Sequence, residues 1–170
     1  MKRSLSKQKG AAFERWVCKQ LSLALSGGKR DDLLWRSAMS GGRATIGKKS
    51  GIERSHQVGD ISPISKEGEE FLSRYVVECK HYKKLPFLQY LLKDDDSKST
   101  IIDLWISDLR SKLPEGKLGV LIAKANFKYP IVFLVKHSQS VDFSLVLTFD
   151  TFIKYIVRGK EKCPKQPQKT

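Results

Sequence analysis

Four residues of this sequence have side chains suited to chemistry at a phosphate group: Glu14, Asp60, Glu78 and Lys80. Glu78 and Lys80 interrupt the segment "RYVVECKHYKK", residues 74 to 84, which otherwise has the composition of a buried β-strand. Alternate side chains of a strand point to opposite faces, so these two charges share one face. Taken alone, this spacing is also typical of a solvated strand face, where an ion pair contributes less than about 1 kcal/mol.

Two further acidic residues favour a site over a solvated face. Asp60 follows Gly59 in a second predicted strand, and a glycine there lets another backbone or a ligand come close. Glu14 shares the edge of a helical apolar stripe that includes Val17 and Leu21. A glutamate on the packing side of a helix is uncommon unless a partner compensates its charge. The sequence therefore predicts that three carboxylates and a lysine converge at one end of a sheet.

Such a cluster is suited to binding a hard divalent cation. Mg²⁺ prefers oxygen ligands and keeps several waters, so two carboxylates and a backbone carbonyl can hold it against a phosphate. The cation neutralises phosphodiester charge and lowers the pKa of a bound water, while a nearby lysine orients that water or stabilises developing charge. The four residues thus predict a metal-dependent phosphodiesterase site.

The overall charge agrees with a polyanionic partner. The 170 residues fit one domain, and 32 Lys and Arg against 18 Asp and Glu give a formal charge of +14. Residues 1 to 59 contain 13 of the basic residues and 4 of the acidic ones, which is 9 of the 14 excess charges. Such a field favours nucleic acid or an anionic membrane surface. Basic residues of the glycine-rich stretch 29 to 55 are predicted to contact phosphates, among them Arg36, Arg43, Lys48, Lys49 and Arg54.

Several other classes of protein are disfavoured. No apolar run approaches the roughly 18 residues of a membrane span, and "MKRSLSKQKG" lacks the apolar core of a secretory signal. Cys18, Cys79 and Cys163 have no CxxC spacing, which argues against a disulfide framework and a thiolate zinc site. These features predict a cytoplasmic protein of a reducing compartment.

Hydrophobic periodicity predicts an α/β or α+β sheet with helices packed on its faces. The strands around Asp60 and Glu78 are expected to be joined by "KEGEEFL" as a hairpin with a long connection. The predicted order is a basic arm (1 to 8), a helix (10 to 25), a short strand (33 to 36), a long polar loop, these two strands, a short helix from Pro86, a helix (98 to 113), three strands, a closing helix and a disordered basic tail (161 to 170).

The ordered set of motifs resembles the PD-(D/E)XK nuclease superfamily. Within it, "KGAAFERW", "WRSAMSGG", "GDI" and "ECKHYK" are similar to the archaeal-type Holliday junction resolvases, over roughly residues 7 to 84. The resemblance implies a restriction-endonuclease-like α/β core, a central mixed sheet flanked by helices, in a single nuclease domain over residues 1 to 160. It also implies hydrolysis of duplex or branched DNA with Mg²⁺, for which Mn²⁺ substitutes, and a homodimer.

The resemblance carries over residue by residue. Asp60 and Glu78 match the metal ligands, with the backbone carbonyl of Cys79 as a third ligand. Lys80 matches the catalytic lysine, and Glu14 matches the helix glutamate that supports the metal through water. Three polar residues match the loop near the scissile phosphate: Arg36, Ser37 and Ser40.

The sequence departs from the junction resolvases in three places. Gly59 stands where the motif has proline, 17 residues separate Asp60 from Glu78, and the loop "ATIGKKSGIERSHQ" is expanded. Two alternatives therefore stay open. One is a restriction-like, homing or DNA-end-processing nuclease on the same core, and the other is a non-catalytic nucleic-acid-binding protein. The small, autonomous core is typical of a phage or mobile element.

Overall fold

The structure, a computed structural model, describes residues 5–37, 58–94, 98–136 and 144–158. Within these ranges the helices are α1 (Leu5–Leu25), α2 (Lys66–Arg74), α3 (Phe87–Leu91), α4 (Ile101–Lys112) and α5 (Phe149–Arg158). The strands are β1 (Leu34–Arg36), β2 (Ile61–Pro63), β3 (Tyr75–Tyr82), β4 (Leu118–Ala125), β5 (Ile131–Lys136) and β6 (Ser144–Thr148). None of the helices in these ranges is long and apolar enough to cross a membrane.

A four-stranded mixed sheet forms the centre of the fold, in the order β3-β4-β5-β6. β3 and β4 run parallel, whereas the other neighbouring strands run antiparallel. Parallel neighbours need a crossover connection, which α3 and α4 supply here. β4 and β5 are buried along most of their length, as expected for strands that are covered on both faces. β1 and β2 form a separate antiparallel pair.

Each face of the central sheet has its own hydrophobic core. One core combines the apolar stripe of α1 with Phe149, Phe152 and Ile156 of α5. The other contains Ile102, Trp105, Ile106 and Leu109 of α4. β3 contributes to both cores, because its side chains alternate between the two faces. Helices on both faces of a mixed sheet confirm the predicted α/β class.

The segment predicted as a hairpin connection is the helix α2, and that prediction was wrong. The Ser65 hydroxyl caps α2 by accepting a hydrogen bond from the Gly68 amide at 3.2 Å, and Phe71 is buried in the first core. A Cβ at Gly68 would lie 2.4 Å from the carbonyl oxygen of Leu33. This glycine therefore lets the helix pack closely against the chain entering β1. β2 accordingly pairs with β1 instead of forming a hairpin with β3.

Most other boundaries lie close to the predicted ones. α1 begins at Leu5, so it includes half of the basic arm predicted over residues 1 to 8. α4 begins after Thr100, whose hydroxyl and amide exchange capping hydrogen bonds with Asp103. The structure does not describe most of the predicted long polar loop or any of the tail over 161 to 170.

Candidate active site

The four candidate catalytic residues lie where the β1-β2 pair meets β3. Glu14 is on α1, Asp60 directly precedes β2, and Glu78 and Lys80 are on β3. Lys80 Nζ donates a hydrogen bond to Glu78 Oε1 at 2.6 Å, and the two side chains are 25% and 15% exposed. The pair of Glu78 and Lys80 is therefore mostly buried. This excludes the alternative interpretation of the pair as an ion pair on a solvated strand face.

Backbone hydrogen bonds hold Asp60 against β3. Its amide donates to the Val77 carbonyl at 2.8 Å, and its own carbonyl accepts from the Ser37 amide at 2.7 Å. The amide of Cys79 donates to the side-chain oxygen Oδ2 of Asp60 at 2.8 Å. Because both its main chain and its carboxylate are tied to β3, Asp60 has a fixed position beside Glu78.

Gly59 explains why the proline of the motif is absent. Its φ is +102°, a backbone conformation that proline, with φ of about −65°, cannot adopt. A Cβ at this position would also lie 2.7 Å from the Val77 carbonyl oxygen. The glycine thus permits the close approach to β3 on which the placement of Asp60 depends.

Replacing Gly59 with alanine is expected to destabilise the protein by about 2–4 kcal/mol, the combined cost of backbone strain and overlap with Val77. Urea unfolding of the two proteins measures this difference. Gly116→Ala is the matched control, because Gly116 has φ +78° but no atom within 4 Å of an added Cβ. Equal losses of stability in the two variants would contradict a specific role for the close approach.

The carboxylate of Glu14 has a partner that the sequence analysis did not assign to it. Arg36 Nε donates to Glu14 Oε2 at 2.8 Å, and the Glu14 side chain is only 13% exposed. The position of Glu14 on the packing side of α1 indicated that some cation must compensate it. The identity of that cation depends on the docking of β1 against α1, which the sequence does not reveal.

Of the three carboxylates in the cluster, Asp60 forms no ion pair with the described residues. Glu78 pairs with Lys80 and Glu14 with Arg36, while the Asp60 carboxylate accepts its hydrogen bond from a backbone amide. Burial, followed by the charge of Glu78, raises the pKa of Asp60 to about 7. Glu14 adds to this rise, and the Cys79 amide and Lys80 oppose it.

Lys80 stays cationic in this surrounding. Burial lowers the pKa of Lys80, but the charge of Glu78, their hydrogen bond and the charge of Asp60 outweigh it, so the pKa lies above its ordinary value. Burial also raises the pKa of the Cys79 thiol, which faces the hydrophobic core and offers no thiolate. The site therefore combines buried carboxylates with a permanent ammonium group.

The raised pKa of Asp60 makes the metal-free protein less stable as the pH rises. Between its ordinary pKa of 3.8 and about 7, the folded protein keeps a proton that the unfolded chain has lost, so the folded state is favoured in acid. We expect Asp60 alone to make the protein about 2–3 kcal/mol less stable at pH 8 than at pH 5. Urea unfolding in EDTA measures this change, and Asp60→Asn, which cannot titrate, is the control. Parallel pH profiles for the two proteins would exclude the raised pKa.

The carboxylates fit a divalent cation by charge and by donor type. Each of Asp60 and Glu78 uses one oxygen in the hydrogen bonds described above, which leaves the other without such a bond to the described residues. Those residues contain no group of three or more His, Cys, Asp or Glu side chains placed to hold a metal ion. A cation here would therefore complete its shell with backbone carbonyls, water or substrate oxygens, as Mg²⁺ commonly does.

The residues predicted to contact nucleic acid have different outcomes. Arg36 is 27% exposed and is engaged with Glu14. Ser37 is only 3% exposed, and its contact with DNA stays a prediction. Its backbone amide donates a hydrogen bond to the Asp60 carbonyl. The remaining predicted contacts lie outside the described residues: Ser40, Arg43, Lys48, Lys49 and Arg54.

Comparison with known proteins identifies the family. The family described as phage putative PDDEXK endonuclease matches residues 5–165, a range that contains all four candidate residues and most of the chain. No match was found among the curated proteins or the solved structures. The matched family is one of PD-(D/E)XK endonucleases, in agreement with the mixed sheet flanked by helices. The chain belongs to the phage putative PDDEXK endonuclease family.

Proposed function

We propose that this protein is a Mg²⁺-dependent DNA endonuclease whose site consists of Glu14, Asp60, Glu78 and Lys80. The observation that carries the proposal is the state of Asp60. It is a largely buried carboxylate beside Glu78, its pKa is raised to about 7, and no cation pairs with it in the described part of the chain. A divalent cation held by Asp60 and Glu78 would relieve the repulsion between their carboxylates.

Asp60 and Glu78 would hold the cation, together with the backbone carbonyl of Cys79, while Glu14 would act through a water. When bound, Mg²⁺ would supply Lewis-acid stabilisation of the phosphodiester and a lowered pKa of water. The protein supplies position. The Cys79 amide fixes the Asp60 carboxylate, and Arg36 fixes that of Glu14. Carboxylates that are already held in place need no reorganisation during the reaction.

Lys80 acts as a cationic hydrogen-bond donor. Its raised pKa keeps it protonated near neutral pH, so it cannot serve as the general base. Glu78 holds the ammonium group on the site's face of β3. From there, Lys80 can orient the attacking water or stabilise charge that develops on the phosphate. The basic stretch that includes Arg43, Lys48, Lys49 and Arg54 would bind the DNA backbone through phosphate contacts.

Branched DNA and a homodimer form the finer part of the proposal, and both rest on the motifs shared with Holliday junction resolvases. Gly59 and α2 depart from that pattern, since α2 occupies nine of the 17 residues between Asp60 and Glu78. These two features favour a second candidate, a restriction-like, homing or DNA-end-processing nuclease on the same core.

Cleavage of a panel of labelled substrates tests the proposal and distinguishes the candidate functions. Wild-type protein is incubated with a four-way junction, linear duplex, single-stranded DNA and RNA, each with Mg²⁺, Mn²⁺ or EDTA. We expect cutting of DNA with either metal and none in EDTA, with the preferred DNA separating a junction resolvase from the other nucleases. Binding without cutting under every metal would instead support a non-catalytic nucleic-acid-binding protein.

A further inference from the structure

At the end of the sheet beyond Lys80, where β3 and β4 end, aromatic rings are exposed beside lysines. At the end of β3, Tyr82 is 46% exposed and is followed by two exposed lysines. In the turn after β4, Phe127 is 101% exposed and is followed by exposed Lys128. We call the five residues of these two segments the aromatic-lysine edge: Tyr82, Lys83, Lys84, Phe127 and Lys128.

A hydrogen bond joins the two segments of this edge. The Asn126 amide donates to the Tyr82 carbonyl at 3.0 Å, which continues the parallel pairing of β3 with β4. Neither residues 80 to 86 nor residues 123 to 130 contain an acidic side chain, while together they contain Lys80, the three lysines of the edge and Lys124. The edge is thus a locally cationic surface, and a polyanion is its complementary partner.

The phenylalanine at position 127 is not explained by packing, because its ring is exposed, or by the backbone, because its conformation favours glycine. Its φ is +59°, in the left-handed region that bulky residues avoid and that glycine adopts without strain. Its ring makes no aromatic or cation-π contact with the described residues. By contrast, the hydroxyl of the nearby Tyr129 donates to Asp150 at 3.1 Å, and the Tyr82 ring packs on Trp105 at 4.8 Å. Strained residues of this kind concentrate at binding and catalytic sites.

The strand register places Phe127 close to the candidate active site. Lys80 is opposite Ala123 in the β3-β4 pair, and Phe127 is four residues beyond Ala123. Four residues of a strand span at most about 13 Å. One strand of B-DNA advances about 3.4 Å per nucleotide, so this distance corresponds to about four nucleotides. A DNA strand bound at Lys80 can therefore reach the ring of Phe127.

The chemistry of the edge identifies the kind of DNA that it would bind. Lysines contact phosphates of any sequence, whereas a phenyl ring offers no hydrogen bond to a phosphate and binds bases by stacking. Bases of a continuous duplex already stack on one another, so a ring gains most from a base that is unpaired. We propose that Phe127 stacks on an unpaired base within about four nucleotides of the scissile phosphate. The aromatic-lysine edge thereby selects DNA with unpaired bases at a gap, tail or branch.

The inference rests on the proposed function, because it assigns a substrate class to the same site. Binding measured without cleavage tests it separately. Fluorescence anisotropy in EDTA compares a fully paired duplex with the same duplex carrying a single-stranded gap of about four nucleotides. We expect wild-type protein to prefer the gapped DNA by about tenfold, the order of one base-aromatic stack. Phe127→Ala should lose this preference while its affinity for paired duplex changes less than about twofold.

Four variants distinguish stacking from general apolar contact. Phe127→Trp should keep the preference, whereas Phe127→Leu, which is apolar but not aromatic, should lose it. Leu88→Ala is the matched control, since Leu88 is an exposed apolar residue on α3 that lies outside the edge, and it should keep the preference. Phe127→Gly should also lose the preference while folding at least as stably as wild type, because glycine relieves the left-handed strain.

A fluorescent base analogue such as 2-aminopurine, placed in the gap, reports stacking directly. We expect its emission to be quenched by wild-type protein and not by Phe127→Ala. An unchanged preference in Phe127→Ala, or a preference retained by Phe127→Leu, would overturn the inference. Cleavage without any Phe127-dependent preference would refute the inference alone. A Phe127-dependent preference without cleavage of any DNA would refute the nuclease proposal alone.

Discussion

Replacing Asp60 with asparagine is expected to abolish cleavage and, at the same time, to stabilise the metal-free protein. Asparagine keeps an oxygen that can accept the Cys79 amide, so the geometry against β3 is retained. It removes the negative charge that would bind Mg²⁺, and we expect the cleavage rate to fall by about 10³-fold or more. It also removes the cost of ionising a buried carboxylate whose pKa is about 7. At pH 8 this should stabilise the fold by about 2–4 kcal/mol.

Single-turnover cleavage and urea unfolding in EDTA, both at pH 8, measure these two effects. Opposite changes in activity and stability are typical of a residue kept for chemistry at the expense of stability. A variant that loses activity and stability together would mark Asp60 as a structural residue. A variant that cuts DNA at the wild-type rate would remove Asp60 from the site.

Replacing Lys80 with methionine is expected to slow cleavage by about 10²–10⁴-fold while DNA affinity in EDTA changes less than about threefold. Methionine has a similar length but no charge, so the loss reports the ammonium group. Lys80 lies within the site and pairs with Glu78, whereas DNA affinity is expected to come from many phosphate contacts elsewhere. The effect should therefore appear in the rate of the chemical step.

Lys19→Met is the matched control for this substitution. Lys19 also forms an ion pair, with Asp31, but its side chain is 57% exposed. The control removes one lysine charge and one ion pair outside the proposed site, and we expect cleavage to stay within about twofold of wild type. Equal losses in the two variants would show that the cleavage rate follows total charge, and Lys80 would lose its proposed role.

The parts of the fold that the sequence predicted are those in which local pattern and tertiary burial agree. The apolar stripe of α1 and the apolar runs of β4 and β5 are buried as their periodicity indicates. α2 was missed because Gly68 weakens its helical pattern. Tertiary packing explains this glycine, since a Cβ at position 68 would lie 2.4 Å from the Leu33 carbonyl oxygen. A contact between segments distant in sequence leaves no periodic signal.

The site divides in the same way. Glu14, Asp60 and the E-x-K pair of β3 could be selected because few residue types suit metal and phosphate chemistry. The partner of Glu14 could not, since an arginine can pair with a carboxylate or with a phosphate equally well. Ser37 was assigned to DNA by its match to the polar loop near the scissile phosphate. Its burial and its hydrogen bond to Asp60 arise from the docking of β1 beside the site, which the sequence does not reveal.

The most direct measurement is single-turnover cleavage of a labelled DNA substrate, titrated with MgCl₂ from an EDTA-treated start, for wild-type protein beside Asp60→Asn. We expect the wild-type rate to rise from zero and to saturate with Mg²⁺, and the variant to stay about 10³-fold slower or more at every concentration. Cleavage by wild type in EDTA, or by Asp60→Asn at the wild-type rate, would contradict a metal-dependent site at Asp60 and Glu78.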